Sequence, residues 1–393
     1  MRIENQVRVQ SIDILRGLVM VIMALDHVRD FFHVTAMTAD PVNPETTYPA
    51  LFFTRWITHF CAPVFVFLSG VSARLAGTKR SPAQLSRFLI TRGLWLVVVE
   101  IVIVTLGITF NPFYNVIILQ VIWAIGTSMI LLGLLVRTSL TVLGIIGVLL
   151  FFGHNITNYL PVPSGPWGIA YNVLLTTKAV IYNISSNRVI FDLYAVLPWT
   201  GVMLMGYVSG YYFLSKINPD TRRRHLLVWG SGAILLFLLL RFLNEYGDPA
   251  PWKVQKDYLY SFLSFLNTTK YPPSLMFLLM TLGPALIFLS FLERAQNRLT
   301  GIFAVYGKVP FFYYVVHFYL IHLLTVLAFY ATGHSSAQIV DPNTPFLFRP
   351  VNFGFDLWAV YLIWIFVVVV LYKPCLWFSR YKKGHKQWWL SYI

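Results

Sequence analysis

Residues 11–33 read SIDILRGLVMVIMALDHVRDFFH, a stretch long and apolar enough to cross a bilayer as one helix. It nevertheless carries Asp13, Arg16, Asp26, His27, Arg29, Asp30 and His33. Ionisable groups at bilayer depth are costly and are kept mainly where they pair with one another or act on a ligand. At about 100° and 1.5 Å per residue, Arg16 and His27 share one helix face, roughly 16 Å apart along the axis. Asp30 falls within about 60° of His27 on the same stripe. Residues Leu18 to Leu25 form an apolar band between the two polar ends. Such a stripe is expected to face the interior of a helical bundle.

The rest of the chain supplies that bundle. Of its 393 residues, 57% are hydrophobic and 11% charged, and the mean hydropathy is +0.67. This excludes an ordinary soluble domain and fits a multi-pass helical membrane protein. Aromatic residues at 17% suit interfacial belts and aromatic-lined cavities. The net charge of +15 reads as orientation and attraction to anionic lipid, not as nucleic-acid binding. Cys61 and Cys375 lie in separate apolar segments, so neither a disulfide framework nor a CxxC metal pattern is present in the sequence.

Hydropathy and turn signals divide the chain into ten expected spans, at about 12–33, 57–76, 88–109, 115–135, 139–153, 193–214, 226–243, 273–292, 305–331 and 356–378. The expected fold is all-α: a single polytopic transmembrane domain over 1–393, with both termini cytoplasmic. The segment 167–183 reads as a weakly amphipathic run too polar to span. With the N-terminal side cytoplasmic, most of the 30 lysines and arginines fall on cytoplasmic ends and loops. These include Arg2, Arg8, Lys79, Arg80, Arg222, Arg223, Arg224, Lys308 and Lys382, as the positive-inside rule requires. Arg29, Arg55, Lys178 and Lys253 fall outside. The cytoplasmic loops are short and the long loops exterior, leaving room for an acceptor site on the exterior side. No internal repeat or symmetric pair of broken helices stands out, which weighs against the common transporter folds.

Several residues could carry chemistry. A lone intramembrane histidine is as often a packed, hydrogen-bonded residue as a working one. For His27, the nearby Asp26, Asp30 and His33 favour a base oriented by a carboxylate. His59, His317 and His322 are expected at comparable depth. No HxxxH or HExxH spacing links them, and no metal is expected. Arg16, Arg74, Lys79 and Arg80 could hold the phosphates of a nucleotide-like ligand. The plainer readings are a salt bridge from Arg16 to Asp13 and topology signals for the others. Lys270, Ser274 and Trp199 are candidate acceptor contacts at the exterior ends of their helices, against a plainer role in interfacial anchoring.

The run 11–32, followed by THFCAPVFVFLSG at 58–70, resembles the start of the heparan-α-glucosaminide N-acetyltransferase-like membrane proteins of the transmembrane acyltransferase superfamily. The Arg16-x10-His27 spacing is similar to an R-x10-H element on the first helix of related polysaccharide acyltransferases. Pro63, Phe65, Val66, Phe67 and Gly70 match the family's FPWFVFIMG segment, and FFYYVVH at 311–317 resembles a run that ends in His. The resemblance implies acetyl-CoA bound from the cytoplasmic side and a sugar or amine acceptor reached from the other side. By that analogy His27 takes the first-helix catalytic position, Arg16 lies on the donor side and His317 lines the same cavity. The eukaryotic enzyme has Asn at the position of His27 and Asp at that of His59, so the identity of the base stays open among the histidines.

The sequence therefore points to an acyl-CoA-dependent N- or O-acyltransferase, by direct or ping-pong transfer, in a bacterial inner membrane. Its wide apolar surface permits a homodimer. A transporter or channel for a small anion or sugar is the alternative, supported by the same intramembrane charge.

Overall fold

The computed structural model describes residues 9–176 and 180–391. Arg2, Arg8 and Lys178 of the charge argument lie outside them. The first helix, α1 (Gln10–Phe32), runs through the whole charged stretch. A loop leads to α2 (Pro49–Thr58) and, past a break at His59–Phe60, to α3 (Cys61–Ala76). Next comes α4 (Pro82–Val99), started by Pro82 at its first position and a Ser81/Gln84 capping box. It passes through a π-turn at Glu100–Val104 into α5 (Thr105–Thr109). After strand β1 (Val116–Leu119) come α6 (Val121–Leu135), α7 (Leu140–Gly153) and α8 (Gly165–Tyr171). Strands β2 (Val180–Ser185) and β3 (Arg188–Asp192) precede α9 (Val196–Ser209), α10 (Pro219–Leu243), α11 (Tyr258–Leu266) and α12 (Leu275–Leu292). The chain closes with α13 (Arg298–Lys308), α14 (Pro310–Ala331) and α15 (Leu357–Gly384).

Helices dominate, but the all-α expectation needs correction. The start of the expected 115–135 span is β1, and the expected amphipathic run 167–183 is α8, a π-turn at Asn172–Thr176 and the beginning of β2. The three strands form one sheet in the order β1-β3-β2. Here β1 pairs parallel with β3 from Val116↔Val189 to Leu119↔Asp192, and β2 pairs antiparallel with β3. The expected 305–331 span is two helices. Pro310 has no N–H to donate back into α13, so the helix stops at Lys308 and restarts with Pro310 in its first turn. The second span begins earlier than expected, at Pro49. Seven helical stretches among the described residues are long and apolar enough to cross a membrane: 49–79, 82–109, 140–159, 219–243, 275–292, 310–331 and 357–384. The shorter Val121–Leu135 is also apolar. The charged α1 and the 14-residue α9 are not among the seven.

Two close helix crossings set the centre of the bundle. Where α1 meets α13, a Cβ on Gly17 would lie 1.8 Å from the Phe303 carbonyl oxygen, and one on Gly307 would lie 1.8 Å from that of Asp13. Where α3 meets α9, a Cβ on Gly70 would stand 2.1 Å from the Met203 oxygen, and one on Gly206 2.1 Å from that of Phe67. Both crossings bring backbone onto backbone, as small residues allow in membrane bundles. Further bonds anchor α1: Trp364 Nε1 donates to the Val21 carbonyl at 2.8 Å, and Cys61 Sγ donates to that of Val19 at 3.3 Å. Gly206→Ala is expected to destabilise the protein by about 1–3 kcal/mol through overpacking. The check is the thermal melting midpoint in detergent; an unchanged midpoint would contradict the close crossing.

Candidate functional site

The stripe on α1 opens into two cavities toward opposite ends of the helix. Near its N-terminal half lies a cavity of about 290 Å³, lined by Arg16, Met20, Phe65, Ser69, Ser72 and Tyr314, among others. Arg92, Lys308 and Lys382 also reach it, so four cations from four helices converge there. Arg16 donates to Ser72 Oγ at 2.8 Å and to the Gly307 carbonyl at 3.3 Å, and sits 3.6 Å from Asp13. The plain ion pair and a place on the cavity wall are therefore both present. The other expected phosphate contacts lie elsewhere. The Arg74 guanidinium packs over the Tyr207 ring, 5.4 Å from its centroid, and that of Arg80 over Phe88 at 4.2 Å. Neither they nor Lys79 lines the cavity.

Toward the other end of α1 lies a cavity of about 270 Å³. Asp26, His27 and Asp30 line it from α1, Arg55 from α2, Gln120 from the end of β1, and Tyr194, Lys270 and Tyr271 from loops. Ile118 of β1 and Phe191 of β3 also contribute, so the unexpected sheet forms part of its wall. The carboxylates are not oriented on His27 as the sequence suggested. Asp26 accepts from Arg29 at 3.1 Å and from Arg55, while Asp30 accepts from the same Arg29 nitrogen at 2.6 Å. An arginine fork satisfies carboxylates better than a neutral imidazole does, which explains the partition.

His27 packs instead against α14, with its ring centroid 5.2 Å from that of His317 and 4.3 Å from that of Phe318. His317 is fully buried. Its Nδ1 faces the carbonyls of Tyr314 at 2.5 Å and Tyr313 at 3.2 Å. Carbonyls only accept, so Nδ1 carries the proton and a neutral ring keeps its lone pair on Nε2. That Nε2 is buried without a hydrogen-bond partner among the described residues. His322 is occupied, with one nitrogen at the Gly107 carbonyl and the other at that of Leu347.

The remaining sequence candidates take structural places. The His33 Nδ1 accepts from Thr35 N–H at 3.3 Å and meets its hydroxyl at 3.0 Å. The His33 carbonyl accepts from Arg349. The buried His59 packs edge-on to Phe277. Ser274 caps α12 and donates to Asp248 at 2.7 Å, and Trp199 is fully buried against Tyr194. None of these four lines either cavity, whereas Lys270 does. Sequence reasoning passed over Arg55, Gln120, Tyr194, Tyr271, Tyr314 and Glu100. Glu100 is completely buried on the π-turn; its Oε1 accepts from the Gln120 N–H at 2.7 Å and its Oε2 has no partner among the described residues. A single carboxylate inside LWLVVVEIVIV is a signal the sequence did carry.

The catalytic-domain family described as heparan-alpha-glucosaminide N-acetyltransferase matches residues 8–240. No curated protein matches the chain. The matched stretch holds α1, α3, α6 and the sheet; α13, α14 and α15, which bring Lys308, His317 and Lys382, lie beyond it.

A further buried carboxyl stands apart from the arginines, between Phe191 and Leu193, which line the second cavity. Asp192, at the end of β3, is fully buried. Among the described residues it accepts only the Tyr194 N–H, through Oδ1 at 3.1 Å, and its Oδ2 has no partner. Burial raises this carboxyl to about 7, against the smaller opposing effect of the Tyr194 N–H. An unfolded aspartate titrates near 3.9. The protonated form therefore favours the folded state: the contribution is complete below about pH 4 and is lost as pH rises through about 7. Relative to Asp192→Asn, the wild-type melting temperature is expected to fall across that window. Parallel curves for the two proteins would contradict this.

Proposed function

Because the chain belongs to the heparan-α-glucosaminide N-acetyltransferase catalytic family, we propose that it moves an acetyl group from cytoplasmic acetyl-CoA to an amine or hydroxyl of a sugar on the opposite side of the membrane. One observation carries this reading. Two cavities approach each other from opposite ends of α1, one rich in cations and one mixed in charge; His27 lines the second, and the His317 ring, which lines neither, packs against it. In this reading α1, α6 and α9 cross the membrane beside the seven, giving ten spans with both termini on the cytoplasmic side.

Arg16, Arg92, Lys308 and Lys382 would hold the phosphates of acetyl-CoA, whose thioester points along α1 toward His27. The acceptor would lie in the second cavity against Asp30, Lys270, Gln120 and the aromatic rings. Its nitrogen or oxygen attacks the thioester carbonyl carbon. A new C–N or C–O bond forms, the C–S bond breaks, and sulfur takes the bonding pair. His27, which lines the acceptor cavity, takes the acceptor's proton and returns it to the thiolate, leaving CoA as the thiol. The unpartnered Nε2 of His317 stands beside it as a second base, or as the nucleophile of a ping-pong route through acetyl-histidine. Orientation of two substrates by fixed walls can supply on the order of 7 kcal/mol of the barrier. Opposed cavities would also suit solute passage, the transport alternative. The family and the imidazole pair favour group transfer.

Purified protein with labelled acetyl-CoA and glucosamine-type acceptors tests this. His27→Ala is expected to lower kcat by roughly 10²–10⁴-fold while acetyl-CoA still binds, and Asp30→Asn to cost much less, because Asp30 pairs with Arg29. Arg16→Ala should weaken acetyl-CoA binding by about 1.5–3 kcal/mol, the worth of a charged hydrogen bond, and Arg80→Ala should leave it unchanged. Folded wild-type protein that binds no acyl-CoA, or His27→Ala with full activity, would overturn the reading.

A further inference from the structure

Phe65 and Val121 are the two described residues that line both cavities. The boundary falls at one level on each surrounding element. On α1, Met20 lines the cationic cavity and Met23 the other, three residues and about 4.5 Å apart along the helix. On α3, Ser69 and Ala62 lie on opposite sides of Phe65. On α6 and its lead-in, Ile122 and Gln120 lie on opposite sides of Val121. α14 lines the cationic cavity through Tyr314; His317, three residues on, lines neither cavity and packs against His27. The barrier between the cavities is therefore about one side chain thick. It is apolar and built on two helices, with Phe65 and Val121 both more than nine-tenths buried.

We propose that Phe65, together with Val121, selects the length of the acyl group transferred. This rests on the acyl-transfer reading above and deepens it. For the acceptor's nitrogen or oxygen to bond to the carbonyl carbon while the C–S bond breaks, a thioester entering from the cationic cavity must bring its carbonyl to the barrier, beyond which His27 lines the second cavity. Its alkyl tail then lies against Phe65 and Val121. The methyl of an acetyl group is the smallest tail a thioester of this kind can bring. Each added methylene must displace the phenyl ring or the Val121 methyls in a close-packed wall. A barrier that only sealed the two sides from each other would be indifferent to the tail.

The test compares kcat/KM for acetyl-, propionyl- and butyryl-CoA with a glucosamine acceptor, using the full chain in detergent or nanodiscs. Wild type is expected to prefer acetyl. Phe65→Ala should shift the propionyl-to-acetyl and butyryl-to-acetyl ratios by on the order of tenfold or more toward the longer tails, the usual weight of a methylene in a fitted pocket. Val121→Ala, a smaller change, should shift the ratios in the same direction by less, and it decides the matter if Phe65→Ala does not fold or loses activity with every donor. Wild-type ratios in folded, active variants would overturn the selector role alone, as would a wild type that takes butyryl as well as acetyl. A wild type that transfers no acyl group from any donor would overturn the transfer reading, and this inference with it.

Discussion

Asp26 stands buried in the second half of α1, and everything around it is arranged to keep its charge compensated. Arg29, one turn on, and Arg55, from α2, both donate to it, and Arg29 extends the network to Asp30. Removing one partner of such a buried pair strands a charge, at a cost of about 3–5 kcal/mol. The network thus ties α2 to α1 and fixes the rotation of α1 about its own axis. A second cluster does the same at the far end. Glu293, just past α12, accepts from Arg222 of α10 and from Ser11 of α1. With both ends held and backbone touching backbone at Gly17 and Gly307, α1 occupies the middle of the bundle rather than its lipid face.

The same pairing shapes the chemistry. Because arginines satisfy the carboxylates, His27 is left facing the second cavity and the His317 ring rather than bound in a carboxylate dyad. On α14, carbonyls one turn back fix the His317 proton on Nδ1, so its lone pair is available on the side away from the helix hydrogen bonds. The helices supply the imidazoles and the cations, while the small sheet and the 270–271 loop supply part of the wall of the second cavity.

Much of this was legible in the sequence because bilayer depth imposes a simple rule. Apolar runs marked the helices, and ionisable residues within them marked Arg16, Asp26, His27 and His317. The sheet was missed for two reasons. NVIILQV continues smoothly into the apolar run of α6, and short apolar runs do not separate strand from helix by period alone. Only the start of VIYNISSNRVIFD fell within the run 167–183 that looked too polar to span, and the β-branched pattern around its Ser-Ser-Asn is a hairpin signal that was passed over. The partners of α1 were illegible for another reason. Arg92, Lys308 and Lys382 are far apart in sequence, and nothing in a basic loop says which cation turns inward. The expected carboxylate–histidine dyad failed because adjacency on a helix does not decide among competing partners, and Arg29 and Arg55 win that competition.

The central claim is that the two cavities are reached from opposite sides of the membrane and converge on a barrier at Phe65. Single cysteines at Ser69 and at Met37, in protein with Cys61 and Cys375 replaced by alanine, place one thiol in each cavity. Labelling with a membrane-impermeant maleimide in sealed vesicles of both orientations reads out which side reaches each thiol. Ser69→Cys is expected to be modified from the cytoplasmic side only and Met37→Cys from the opposite side only. Modification of both from the same side would contradict it.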